Sequence, residues 1–74
     1  MTRNQSLKEI ALHQEASAEI SEQLGEFAVA AASYRRARLC YEQLRLPVSA
    51  RAMKRAEERS AFRFAKVMLT LEAV

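Results

Sequence analysis

The chain has 74 residues, one cysteine, one histidine and a formal charge of +3. That length holds one domain, and one Cys with one His excludes both a disulfide framework and the three or four N/S ligands of a zinc cage. A chain of this size buries roughly 60% of its unfolded surface, so without staples its stability is expected to come from partner binding or from a homodimer.

Residues 1–20 alternate polar and apolar side chains with no signal-peptide core, and no apolar run approaches bilayer-spanning length. A single free cysteine fits a reducing setting, so a cytoplasmic protein without membrane contact is expected.

Residues 1–5 are polar and are expected to be disordered. Ser6 followed by Glu9 has the spacing of a capping box, and the first helix is predicted over about 6–24. Its apolar positions form two adjoining stripes, Leu7, Ile10, Ala11, Ala18 and Leu24 beside Leu12, Ala16 and Ile20. Gly25 is the chain's only glycine and separates two helical patterns. A left-handed cap is expected there, because only a residue without Cβ takes that conformation cheaply.

The second helix is predicted over about 26–45. Phe27, Ala30, Ala31, Tyr34, Ala37, Tyr41 and Leu44 step by three or four residues, the period of one helix face. Small Ala30, Ala31 and Ala37 allow close approach of a neighbour, and the aromatics fill the space between. A tight antiparallel helix pair follows. Pro47 is expected to stop this helix, with Ser49 capping a third over about 49–72.

The third helix has two unlike halves. Residues 50–60 are charged, with a thin apolar seam of Ala52, Met53 and Ala56. Residues 61–71 place Phe62, Phe64, Val67, Met68, Leu69 and Leu71 almost all round the helix. The first two helices are expected to cover one side, leaving the other for a partner. These six residues, with Tyr34 and Tyr41, are the candidate partner-binding set. The fold class is therefore all-α: a helical hairpin plus a long C-terminal helix, expected as a dimeric bundle.

Charge divides the chain. Residues 1–34 carry Arg3 and Lys8 against Glu9, Glu15, Glu19, Glu22 and Glu26, a net −3. Residues 35–66 carry ten basic residues against Glu42, Glu57 and Glu58, a net +7. Arg51, Arg55, Arg59 and Arg63 recur every four residues with Lys54 and Lys66 beside them, a basic stripe about four turns long. One reading is a solvated face turned toward the acidic first helix. The other is a nucleic-acid surface on Arg51, Lys54, Arg55, Arg59 and Arg63 that follows a phosphate backbone. Glu57 and Glu58 interrupt the charge, and no Asn or Gln lies among the arginines to read base edges.

Catalysis finds no support. His13 has no Cys nearby, and Cys40 falls mid-helix beside Tyr41 rather than at a helix N-terminus. There is no glycine-rich phosphate loop and no serine elbow, so neither a cofactor nor enzymatic activity is expected.

Gly25, Phe27, Ala30, Tyr34 and Ala37, with Ala18 before them, resemble the hairpin of a tetratricopeptide repeat. No second copy appears 34 residues on, so no repeat array is expected. Glu22, Gly25, Phe27, Ala30–Ala31, Tyr34 and Ala37, then Arg59 and Phe62, resemble the ANR family, small negative regulators of AraC-type transcriptional activators in bacteria. Arg35–Arg36 is similar to an arginine pair of the related PerC-type regulators. The chain departs from the ANR pattern in lacking tryptophan and in carrying Arg63 where a cysteine is expected. The resemblance implies a small helical protein that binds an AraC-type activator and blocks its dimerisation or DNA binding. Two alternatives stand beside it: a DNA-binding accessory regulator using the basic third helix, and a phage-type inhibitor that clamps a host protein.

Overall fold

The computed structural model describes residues 2–73, which form three α-helices: α1 (Arg3–Gln23), α2 (Phe27–Gln43) and α3 (Pro47–Ala73). Short turns reverse the chain twice, so α2 lies antiparallel to both its neighbours and packs against each. The molecule measures 51 × 19 × 13 Å.

The start of α1 differs from the sequence expectation. A capping box forms one turn earlier than Ser6–Glu9: Thr2 Oγ1 accepts from the Gln5 N–H at 3.2 Å, and Gln5 Oε1 accepts from the Thr2 N–H at 2.9 Å. These bonds satisfy two amides that a helix end otherwise leaves unpaired. Residues 3–5 thus belong to α1, with Thr2 as its cap, and Arg3 donates to Gln43 on α2. Met1 and Val74 lie outside the described residues.

Gly25 does what its position requires. Its φ is +79°, its N–H donates to Glu22 O, and the Glu26 N–H donates to Ser21 O at 2.8 Å. This pair of bonds is the Schellman closure. A Cβ at Gly25 would meet nothing within 4 Å, so glycine is needed for its backbone and not for space.

The second turn repeats that closure two residues earlier than expected. The Arg45 N–H donates to Glu42 O and the Leu46 N–H to Tyr41 O, both at 3.0 Å, and Arg45 itself takes φ +57°. Pro47 then opens α3 rather than merely ending α2, and the first α3 bond runs from the Ala50 N–H to Leu46 O. Proline suits a first helical turn because its φ is already helical and no partner exists there for the missing N–H. Ser49 is thus inside the helix and not its cap.

The core consists of Ala11, Ala18, Ala30, Tyr34, Ala37, Tyr41, Ala50, Met53 and Ala56. Six of these nine are alanines, so the helices approach closely but bury little area per residue. Of the expected α3 seam, Ala52 faces solvent. On α1 only Ala11 and Ala18 are buried, with Leu7 partly covered, while Ile10, Leu12, Ile20 and Leu24 point outward. The close approach admits small side chains and turns the large ones away.

Candidate functional site

Polar contacts compensate for the thin core, and they set the position of α3. Glu22, in the last turn of α1, is their centre. Its carboxylate accepts from Arg59 Nε at 2.9 Å and Arg59 Nη2 at 2.8 Å, a two-pronged pair across 37 residues of sequence. Ser60 Oγ donates to it at 2.8 Å and Tyr34 Oη at 3.3 Å. The Arg59 guanidinium also lies 5.8 Å from the centre of the Tyr34 ring. These donors, the Arg59 bonds first, hold the Glu22 carboxyl down to about 2 against the opposing effect of burial.

Tyr41 is the second tie. Its hydroxyl donates to Glu15 at 2.9 Å, and burial followed by that bond pushes its pKa up to about 12. Toward α3, Arg38 bridges Glu42 at 2.6 Å and Glu57 at 3.1 Å. Every described buried side-chain polar atom has a partner. The tyrosines expected on the partner surface are accordingly not there: Tyr34 is 2% and Tyr41 6% exposed, because both lie between the helices and donate to acids of α1.

The other six candidates are at the surface. Every residue from Ala61 to Ala73 is exposed, Phe62, Leu69 and Leu71 by 62–65% and Phe64, Val67 and Met68 by 41–44%. The expected cover from α1 and α2 is missing because the α1–α2 turn falls level with Arg63, whose guanidinium stands 5.8 Å from the Phe27 ring. At about 100° per residue, Phe64, Val67, Met68 and Leu71 lie on the same side of α3 as Ala50, Met53, Ala56 and Ser60. The core-facing side of α3 thus continues past the body of the molecule for about ten residues, or ~15 Å, and every one of them is exposed among the described residues.

The basic stripe is divided by the tertiary structure. Arg59 is bound to Glu22 and Arg63 covers Phe27, while Arg51, Lys54 and Arg55 are exposed and form no ion pair among the described residues. The continuous track expected from the four-residue spacing is therefore not free along its length. Cys40 is half-buried and His13 exposed. Among the described residues no cluster of His, Cys, Asp or Glu is arranged to hold a metal ion, and no helix is long and apolar enough to cross a membrane.

Sequence reasoning missed the roles of Glu22, Glu15 and Arg38. A signal for one of them existed: Glu22 and Arg59 both belong to the set of residues that resembles the ANR pattern. The structure shows this pair joining the end of α1 to the middle of α3. No protein-family model matches the chain, and no curated protein and no solved structure matches it.

Proposed function

We propose that the chain is a small regulatory protein that acts by protein–protein binding, inhibits a transcriptional activator, and docks through the free half of α3. The observation that carries this reading is the uncovered continuation of α3's core side, Phe64, Val67, Met68 and Leu71, with Phe62 and Leu69 behind it. Each large apolar side chain left in water forgoes roughly 1.5–3 kcal/mol of burial, a heavy cost for a small domain whose stability is about 5 kcal/mol at the low end. A helix laid antiparallel on this stripe would extend the packing that α2 provides lower down. In the free protein that helix is the same segment of a second copy, giving a symmetric homodimer. An activator's helix then competes for the same stripe. That the partner is an AraC-type activator rests on the resemblance carried by Glu22, Gly25, Phe27, Ala30, Tyr34, Ala37 and Arg59. Most of these residues hold the hairpin and the Glu22–Arg59 tie, so they support a shared scaffold that presents α3.

Val67→Glu with Met68→Glu tests the reading without touching the core. Light scattering of the unmutated protein at micromolar concentration is expected to give about twice the 8.4 kDa chain mass. The double variant is expected to be a folded monomer by circular dichroism and to lose repression of an AraC-type activator's reporter. A monomeric unmutated protein, or full repression by the double variant, overturns it.

A further inference from the structure

The opposite end of the molecule carries a second, independent feature. At the corner where α2 turns into α3, the surface opens into a groove whose floor includes Leu46, Pro47 and Ala50. Arg45, Arg51 and Lys54 line it with Arg38 and Glu42, and exposed Arg55 lies outside it, one turn along α3 from Arg51. None of Arg45, Arg51, Lys54 and Arg55 has a carboxylate within ion-pair distance among the described residues, whereas Arg38 on the same groove is neutralised by Glu42 and Glu57. The floor is apolar and the rim carries a net positive charge, its one carboxylate, Glu42, being paired with Arg38.

Arg45 makes this more than a solvated patch. The two turns of the chain are closed by the same pair of backbone hydrogen bonds, and both need a left-handed residue at the same place. The first turn uses Gly25 at φ +79°, and the second uses Arg45 at φ +57°. An arginine is strained in that conformation where a glycine is not, and strain of this kind gathers where a side chain has work to do. Arg45 is exposed and lines the groove.

We infer that this groove is a docking site for an acidic protein segment that sets an apolar side chain on Pro47 and Ala50 and its carboxylates against Arg45, Arg51 and Lys54. A nucleic acid fits less well. The unpaired cations of the groove are few and lie beside Glu42, Glu58 stands exposed one turn beyond Lys54, and the residues lining the groove include no aromatic ring for a base to stack on. The site is separate from the free half of α3 and does not depend on what binds there.

The test is a fluorescence-anisotropy titration with a labelled peptide of about ten residues, four of them Asp or Glu around a single Phe. Its controls are the same peptide with Asn and Gln in place of the acids and a single-stranded oligonucleotide of equal charge. Saturable binding of the acidic peptide is expected, with binding weakened about tenfold or more for the neutral peptide and for the Arg51→Gln, Lys54→Gln protein. Arg45→Gly separates the docking role from a capping role: it is expected to weaken binding while raising the melting temperature. No saturable binding, equal binding by the variants, tighter binding of the oligonucleotide, or a lower melting temperature for Arg45→Gly would each overturn the inference.

Discussion

Replacing Glu22 by Gln removes one charge from the centre of the interhelical network and leaves its shape. In the unmutated protein this carboxyl is held from 4.5 down to about 2, chiefly by the Arg59 bonds. A group whose pKa is depressed on folding stabilises the fold above its unfolded value, and that stability is lost as pH falls toward the folded value. The window is therefore from about pH 4.5 down to about 2. At ~1.4 kcal/mol per unit the shift corresponds to on the order of 3 kcal/mol. The Arg59 side chain is 47% exposed, so solvent screening reduces this to about 1–2 kcal/mol. Denaturant titrations followed by circular dichroism at pH 7, 4 and 2.5 measure it. The unmutated protein is expected to be about 1–2 kcal/mol more stable than Glu22→Gln at pH 7, with the gap closing as pH falls. Tyr34 and Ser60 donate to opposite oxygens of the carboxylate, so in the variant one hydroxyl can still donate to the amide oxygen while the other accepts from the amide N–H, and the variant is expected to fold. A gap that stays constant from pH 7 to 2.5, or no gap at pH 7, would show that the Glu22–Arg59 pair does not hold α1 to α3.

Two further outcomes follow from the backbone and the tyrosines. Gly25→Val is expected to lose on the order of 1–2 kcal/mol by thermal or chemical denaturation, all of it from forcing a β-branched residue to positive φ, since the space around a Cβ is open; an unchanged melt refutes the left-handed cap. Tyr34 and Tyr41 are the chain's two tyrosines, and burial raises both, Tyr41 to about 12. Ultraviolet absorbance of phenolate is thus expected to stay low at pH 10 in the folded protein and to rise only as the fold is lost above it, because a raised pKa contributes stability that disappears as pH climbs toward it. Half-ionisation of the tyrosines at pH 10 with the helices intact would refute their burial.

Local pattern was enough for the helices and for much of α2. The Gly25 break and the inward positions of Ala30 and Ala37 can be read from spacing, because helix periodicity and the left-handed preference of glycine act over a few residues. Helix ends were less legible. Thr2–Gln5 and Ser6–Glu9 have similar capping chemistry, and nothing local chooses between them. Arg45 looks like one more residue of α2, since a left-handed arginine carries no local mark. What only the tertiary structure decided is which of several equivalent residues meet. α1 offers two apolar stripes, and the close approach of α2 admits the alanines and leaves Ile10, Ile20 and Leu24 outside. Arg51, Arg55, Arg59 and Arg63 are alike in spacing, yet only Arg59 comes level with Glu22, because the length of α2 fixes how far α3 slides along it. Tyr34 and Tyr41 are fit for a partner surface by type, and they are buried because acids on α1 stand within reach of their hydroxyls. Each of these outcomes depends on a distance between segments far apart in the chain, and periodicity within one helix carries no information about such distances.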